Sequence, residues 1–319
     1  DLVQRIYENI PAHRKQDVIY FDVTDPQIAW GYNPFRRISY ERRPLLTAGL
    51  VSVFKHLFKD AWGARIEHIL RYSILALLDQ PEASFSSLLY LLTDKVYRKS
   101  LIPNIISDEV RNFVQKELPR YRDDALAPVL NKVGTFLAYP NIKRILVEHP
   151  KQISLRRVLD DRKILLINLS KGIIGEDVAH IIGSVMITAL SLAAFSRANI
   201  EEEERVPHFV YIDEFQNFTG SDFAAMLSEL RKFKVGLIMA HQFLDQLQPD
   251  TRNAVIGNIG TLITFRLGQK DAPQIARELY PQFDTIDLLN LPNYDIYLKM
   301  MIEGRVSGAF SATTIKSLF

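Results

Sequence analysis

Six short apolar runs, rich in β-branched and aromatic residues, constrain the fold of this 319-residue chain more than any other feature. Several are apolar at consecutive positions instead of alternating, which is typical of strands buried on both faces of a parallel sheet. Helical patterns separate the later runs, so the sequence predicts an α/β fold with a mostly parallel sheet flanked by helices. The runs are DVIYFDV (17–23), KILLINL (163–169), HFVYID (208–213), VGLIMA (235–240), TLITFR (261–266) and IYLKMMI (296–302).

The gap between the first two runs, about 140 residues, is too long for a single crossover connection. Its apolar residues follow helical spacing and prolines separate the stretches, so we predict an inserted all-helical domain at 45–150. The α/β domain then has a first part at 1–44 and a second part at 151–319. The helical stretches are AWGARIEHILRYSILALLD (61–79), FSSLLYLLTDKVYRKS (85–100) and DEVRNFVQKELPRY (108–121).

The longest apolar stretch, Ile181 to Phe195, is interrupted by Ser184, Thr188 and Ser191. It falls short of the roughly 18 to 20 apolar residues that span a bilayer, so we interpret it as a buried helix and predict no transmembrane segment. A second helical pattern follows at 221–233, with Ser221 or Asp222 as its expected N-cap.

Composition excludes several kinds of site. The chain has no cysteine, which rules out disulfides, zinc–thiolate sites and thiol catalysis and fits a reducing, cytoplasmic location. The seven histidines lack metal-ligand spacing, and neither a G-x-S-x-G elbow nor a Ser-His-Asp set is found. The net charge of +2 indicates no strong global attraction to nucleic acid or acidic lipid.

Two adjacent carboxylates, Asp213 and Glu214, follow the apolar run FVYI directly. Ligand sites in parallel sheets form at the carboxyl ends of strands. In a nucleotide-hydrolysing site the first carboxylate would hold Mg²⁺, and the second would orient and polarise the attacking water. The alternative is a pair of solvated carboxylates at a strand end.

The next apolar run ends in His241 and Gln242, and a polar residue at that position can contact the γ-phosphate of a nucleotide. His241 is more simply a loop histidine, and Gln242 could instead begin a helix. The phosphate-binding pattern G-x-x-x-x-G-K-[ST] occurs nowhere in the 319 residues. The residues alone therefore predict half of a nucleotide site.

Taken together, eight stretches resemble the FtsK/HerA superfamily of P-loop motor ATPases, closest to the HerA-like and conjugative coupling-protein branch of type IV secretion. The resemblance implies a RecA-like sheet with a helical insertion, use of ATP and Mg²⁺, hexameric rings and movement of DNA, or protein export in some members. The stretches are DVIYFDVTDPQIAWGYNPF, WGARIEHILRYSILALL, LAPVLNKVGTFL, ILLINLSKGIIGEDVAHIIGS, FVYIDEFQNF, LSELRKFKVGLIMAHQFLDQL, GNIGTLITFRLGQKDA and AFSATT.

The resemblance also implies roles for single residues. Asp213 matches the Mg²⁺-linked carboxylate, Glu214 the catalytic glutamate and Gln242 the polar sensor. Arg231 and Arg266 are candidates for an arginine that acts on a neighbouring subunit's nucleotide. Alternatively, Arg231 is a surface helix arginine and Arg266 forms a salt bridge at a strand end. Candidate DNA contacts, which could equally be a solvated linker, are Arg36, Arg37, Arg42 and Arg43.

In the resembled family the phosphate loop precedes the second strand, so we expect that part upstream of Asp1 and expect this chain alone to be inactive as an ATPase. Three functions stay open: an ATP-driven DNA translocase, a non-hydrolysing scaffold with a motor-like fold, and a protein-secretion ATPase. The family implies a homo-oligomeric ring at the cytoplasmic side of a membrane, with a membrane or secretion-apparatus partner.

Overall fold

The computed structural model describes residues 2–36, 38–57, 62–218 and 223–315. The chain forms two compact units, the first made of Asp1–Val210 with Leu230–Gly236 and the second of Tyr211–Glu229 with Leu237–Phe319. This division differs from the predicted domain boundaries near 44 and 150, which stay a prediction. The predicted N-cap residues Ser221 and Asp222 lie outside the described residues.

Every predicted strand region contains a strand, and the first two strand pairs are parallel. Strand β1 (Val18–Asp22) pairs with β2 (Ile164–Asn168), with Val18 opposite Ile164. Strand β3 (His208–Ile212) pairs with β4 (Val235–Met239). The His208 N–H donates to the Lys234 carbonyl (2.9 Å) and the Ala240 N–H to the Ile212 carbonyl (3.0 Å), so the pairing advances in the same direction along both strands. The predicted α/β fold class is confirmed.

The last strands are antiparallel, unlike the parallel arrangement expected from their apolar runs. Strands β5 (Leu262–Thr264), β6 (Asp295–Lys299) and β9 (Phe310–Thr313) form one sheet in the order β5–β6–β9. Between them, β7 (Met301–Ile302) and β8 (Arg305–Val306) form a hairpin. Its turn residues Glu303 and Gly304 both have positive φ, which suits a two-residue hairpin loop.

Strand β3 also departs from burial on both faces. Phe209 and Tyr211 are 64% and 76% exposed, whereas Ile212 is buried. Side chains of a strand point alternately to opposite faces, so one face of β3 is left open by the described residues.

The first unit is rich in helices. Near its middle, the ring of Phe85 meets those of Phe35 (5.2 Å between centroids) and Phe136 (4.9 Å), and Phe136 also contacts Phe54 (5.8 Å). All four rings are buried, so a shared aromatic core joins the loop after β1 to the helical region. The helices of this unit are α1 (Leu2–Glu8), α2 (Arg43–Leu57), α3 (Ala64–Leu78), α4 (Phe85–Thr93), α5 (Lys95–Leu101), α6 (Asp108–Asn112), α7 (Asp123–Ala138), α8 (Pro140–Lys143), α9 (Leu155–Asp160), α10 (Lys171–Ile174) and α11 (Glu176–Phe195).

Helix α11 contains the longest apolar stretch. With the 3₁₀ turn that follows it, Glu176–Asn199 is long and apolar enough to cross a membrane, but 78% of its apolar window is buried inside the structure. This is the placement of a core helix, as its serine and threonine interruptions indicate. After β3 the described residues form the helices α12 (Phe223–Leu230), α13 (Pro249–Asn258), α14 (Ala272–Leu279) and α15 (Thr285–Asn290).

Helices α2 and α11 pack against each other at Gly49. A Cβ atom at this position would lie 2.3 Å from the Thr188 Cγ2 atom, far inside van der Waals contact. We expect Gly49→Ala to lower the free energy of unfolding by about 1 kcal/mol, because overpacking of ~1–3 kcal/mol outweighs a helix-propensity gain of ~1 kcal/mol.

The matched experiment repeats the substitution in a Thr188→Ala background, where the clashing methyl group is gone. There, Gly49→Ala should leave stability unchanged or raise it, as read from urea unfolding midpoints. The same loss in both backgrounds would show that the helix contact at Gly49 is not the cause.

Candidate functional site

The predicted carboxylate pair lies in a sharp turn immediately after β3. The Ile212 carbonyl on one side accepts from the Ala240 N–H (3.0 Å), and the Phe215 N–H on the other donates to the Ala240 carbonyl (3.1 Å). Asp213 and Glu214 are thus held between two backbone anchors on the neighbouring β4 segment. Glu214 has φ of 50°, a left-handed conformation that costs free energy in a residue other than glycine.

Phe215 explains why the chain accepts that turn. Its side chain is 1% exposed and its ring lies 5.9 Å from that of Phe223 and 5.1 Å from that of His241. The 3₁₀ turn that follows, Phe215–Phe218, is held by Asn217, whose backbone N–H (3.0 Å) and side-chain amide (2.8 Å) both donate to the Glu214 carbonyl. Burial of Phe215 offsets the backbone cost and turns the Glu214 side chain away from the core.

Both carboxylate oxygens of Glu214 accept hydrogen bonds from side-chain amides. Gln242 Nε2 donates to Glu214 Oε1 (2.5 Å), and Gln216 Nε2 donates to Glu214 Oε2 (2.5 Å). The structure therefore brings together two predicted site residues, Glu214 and Gln242, from the carboxyl ends of two neighbouring parallel strands. It adds Gln216, which the sequence analysis did not single out.

Asp213 is exposed and its Oδ1 atom accepts the Glu214 N–H (3.0 Å). Mg²⁺ in nucleotide sites is held by one or two carboxylates together with phosphates and waters, and the donor set here, one exposed carboxylate, fits that chemistry. Within the described ranges there is no group of three or more His, Asp or Glu side chains that could form a complete metal site.

His241 lies behind Glu214 and does not take part in its hydrogen bonds. It is half-buried, its ring contacts Phe215, and its Nδ1 atom is buried without a hydrogen-bond partner. Burial lowers the pKa of His241, and the nearby charges of Asp271 and Glu214 oppose the shift only in part. A lowered pKa keeps the imidazole neutral at pH 7, which fits the simpler interpretation of a packed loop histidine.

A buried carboxylate fastens the loop that carries Gln242. Asp271, 5% exposed, accepts the Leu244 N–H through Oδ2 (3.1 Å) and sits at the N-terminus of helix α14. The bond fixes the chain two residues after Gln242, so Asp271 supports the position of the candidate sensor. An acidic residue at the start of a helix is expected from the helix dipole alone. The sequence therefore did not indicate that Asp271 also fastens the loop after β4.

The two candidate arginines are both exposed, and neither guanidinium forms a hydrogen bond or ion pair with any residue that the structure describes. Arg266 follows β5 in the second unit, and it has no salt-bridge partner among the described residues. Arg231 begins the 3₁₀ turn Arg231–Phe233 in the first unit. Their action on a neighbouring subunit stays a prediction.

The turn that carries Arg231 is held by two other arginines of the first unit. Arg205 donates from Nη1 to the Lys232 carbonyl (2.5 Å) and Arg197 from Nη1 to the Phe233 carbonyl (2.9 Å). The Lys234 N–H donates to the Arg231 carbonyl (3.0 Å). The carbonyls of all three turn residues thus accept hydrogen bonds, so the backbone that carries Arg231 is fixed to the rest of the unit.

The predicted DNA-contacting arginines occupy different environments. Arg36 is exposed, Arg42 is half-buried, and Arg37 lies outside the described residues. Arg43 forms an ion pair with Asp79, whose side chain is 5% exposed, and its guanidinium also lies over the Tyr40 ring (5.3 Å). The side chain of Arg43 is therefore engaged within the protein, and Arg36 is the described member of the group best placed to meet solvent.

Comparison with solved structures shows where this fold has been seen. The conjugative coupling protein TrwBdeltaN70 in its unbound monoclinic form has a TM-score of 0.64 at 15% identity, over 94% of this chain and 74% of that chain. TrwB in complex with ADP and Mg²⁺ gives 0.64 at 16% identity, over 94% and 75%. VirB4 of Thermoanaerobacter pseudethanolicus gives 0.59 at 13% identity, over 96% and 78%.

The sequence itself matches no protein-family model and no curated protein. At these identities the likeness establishes the fold, which is that of the TrwB and VirB4 structures. The fold expected from the resemblance is confirmed.

Proposed function

We propose that this chain belongs to an ATP-driven motor subunit of the type IV secretion kind, acting as a DNA translocase. The observation that carries the proposal is the direct bond between Glu214 and Gln242 at the carboxyl edge of the β3–β4 pair (2.5 Å). This edge is where ligands bind in parallel sheets. The neighbouring fold supports the assignment, since TrwB has been solved with ADP and Mg²⁺ and with a non-hydrolysable GTP analogue.

In the proposed reaction, Glu214 orients a water molecule toward the γ-phosphate and polarises it as general base. Asp213 would hold Mg²⁺, which when bound neutralises charge on the phosphates. Gln242 reaches the nucleotide from the neighbouring strand, and its amide joins the sensing position to Glu214. Arg231 or Arg266 would act on the nucleotide of an adjacent subunit, which requires a ring, and we propose a hexamer.

DNA would be bound through phosphate contacts in the ring's pore, with Arg36 as the best exposed candidate and Arg37, Arg42 and Arg43 as the others. We place the motor in the cytoplasm, at the inner face of a membrane where a secretion partner could anchor it.

Two other functions use the same fold. A protein-secretion ATPase is favoured by the likeness to VirB4, and a non-hydrolysing scaffold by the lack of a G-x-x-x-x-G-K-[ST] pattern in these 319 residues. The intact Asp213–Glu214 pair favours the motor over the scaffold, since a scaffold needs neither carboxylate.

The deciding experiment measures ATP hydrolysis by the full-length protein alone, with single- or double-stranded DNA of unrelated sequences, and with a secreted protein substrate. A DNA translocase should be stimulated by DNA of any sequence, and the stimulation should weaken between 50 and 200 mM salt as ~6 to 10 phosphate contacts would require. Stimulation by the protein substrate alone would favour the secretion ATPase, and no hydrolysis under any condition would favour the scaffold.

Arg36→Gln should lower the slope of log affinity for DNA against log salt by about 1, the effect of one lost phosphate contact. Lys116→Gln is the matched control, because it removes one exposed positive charge from the helical region of the same unit. Equal effects of the two substitutions would remove Arg36 from the DNA-binding surface.

A further inference from the structure

Two glutamine side chains donate hydrogen bonds to Glu214, and they differ in exposure and in their distance from Glu214 along the chain. Gln216 is half-buried in the 3₁₀ turn Phe215–Phe218, only two residues from Glu214. Gln242 is exposed and lies in the loop after β4. One amide thus belongs to the same turn as the carboxylate, and the other is an exposed side chain from the neighbouring strand's end.

The chemistry of the contact fixes which atoms meet. An ionised carboxylate only accepts hydrogen bonds, so each amide must present its nitrogen, and each oxygen receives one N–H. A carboxylate has about four acceptor positions, so two donors leave two for a water molecule. The clamp therefore sets the orientation of Glu214 without using up its capacity to act as a base.

From this arrangement we infer that Gln216 is the positioning residue for Glu214, and that it keeps the carboxylate in place when Gln242 moves to a nucleotide. The inference rests on the proposed function and deepens it. The Gln242 side chain can exchange partners because it is exposed, although its backbone is held at Ala240 and Leu244 on either side. Gln216, in contrast, is half-buried in a turn that Asn217 closes onto the Glu214 carbonyl (2.8 and 3.0 Å). Sensing and positioning are thereby divided between two glutamines.

The first test asks whether the clamp exists, and it needs no hydrolysis. In the protein labelled with ¹⁵N-glutamine, the side-chain NH₂ signals of Gln216 and Gln242 are assigned from Gln216→Leu and Gln242→Leu. Glu214→Ala should shift both signals, because both amides lose a charged acceptor. Glu202→Ala, which removes an exposed carboxylate from an acidic turn, should shift neither. An unmoved Gln216 signal in Glu214→Ala overturns the inference, whatever the turnover rate.

The second measurement separates the two glutamines by their nucleotide response. Adding a non-hydrolysable ATP analogue and Mg²⁺ to the full-length protein should shift the Gln242 signal strongly and the Gln216 signal weakly. The reverse pattern would exchange their roles and contradict the inference.

The third measurement is kinetic. Gln216→Leu should lower kcat about 10-fold or more with little change in KM for ATP, the loss expected when a hydrogen bond to a charged group is removed. Gln216→Asn, whose shorter chain keeps the amide but not its reach, should behave alike, while the exposed control Gln246→Leu should not. In a Glu214→Gln background, Gln216→Leu should cost nothing further, because a positioning residue acts only through its target.

These outcomes keep the two levels of proposal apart. A wild-type protein that never hydrolyses ATP contradicts the proposed function, even if the amide signals report an intact clamp. A wild-type protein that hydrolyses ATP, with Gln216→Leu folded and equally active, contradicts the role of Gln216 alone.

Discussion

Glu214→Gln should reduce ATP turnover by the full-length protein by about 10² to 10⁴-fold, because a general base contributes that much to a proton-transfer step. Nucleotide binding should persist, since in the proposed reaction Glu214 orients water and does not hold phosphate. The measurement pairs steady-state hydrolysis with binding of a fluorescent nucleotide.

In this structure, Glu214→Gln also requires a neighbouring amide to rearrange. In the native site two N–H donors, from Gln216 and Gln242, converge on the carboxylate. An amide at position 214 offers one oxygen and one NH₂ group, so one neighbouring glutamine must turn its own amide by 180° to avoid facing donor with donor. Glu202→Gln serves as the control, since it neutralises an exposed acid on a 3₁₀ turn. Turnover at the wild-type rate in Glu214→Gln would end the assignment of Glu214 as base.

Arg197→Met should lower the free energy of unfolding by about 3 kcal/mol or more, because three backbone carbonyls lose their donor at ~1–3 kcal/mol for each unsatisfied group, while Asp160 keeps its ion pair with Arg156. The Arg197 side chain is 0% exposed and makes four hydrogen bonds within the first unit. Its Nε donates to Asp160 (2.9 Å) and its Nη atoms donate to the carbonyls of Phe233 (2.9 Å), Val206 (2.7 Å) and Leu159 (3.3 Å). Methionine fills similar space but leaves these acceptors unpaired.

Urea unfolding followed by circular dichroism gives the measurement, with Arg231→Met as the matched control. Arg231 is exposed and unpaired among the described residues, so its replacement should change stability by no more than about 0.5 kcal/mol. If Arg197→Met lowered the free energy of unfolding by less than about 1 kcal/mol, water would be satisfying the carbonyls that lost their donor. The hydrogen bonds of Arg197 would then contribute little to stability.

Sequence patterns predicted the strands well because each strand is a short, local, apolar run with turn residues beside it. The end of β3 could be located for the same reason, and with it the positions of Asp213 and Glu214. The pairing of the last strands could not be predicted, since an apolar run of the TLITFR kind fits a parallel or an antiparallel neighbour equally well. The exposed face of β3 was missed because burial depends on which elements cover a strand.

The partners of charged and amide side chains could not be predicted from the sequence, because they depend on tertiary contacts and not on the local residues. Arg197 and Arg43 have the same local appearance as other arginines in the chain, yet one is fully buried among carbonyls and the other is paired with Asp79. Gln216 gains its contact only because Glu214 adopts a left-handed backbone that aims its carboxylate back over the turn. A conformation of that kind is set by the packing of Phe215 and the bonds to Ala240, which no single-residue preference encodes.

The left-handed backbone at Glu214 has an implication for any attempt to improve this protein. Glycine or asparagine would relax the backbone at position 214, so a design that only removes backbone strain would replace the carboxylate that we propose as the general base. At this residue the chain accepts backbone strain, and so lower stability, in exchange for a carboxylate at the proposed site. Stabilising substitutions should therefore be sought away from the turn after β3. In the helical core, packing can be improved without changing Glu214.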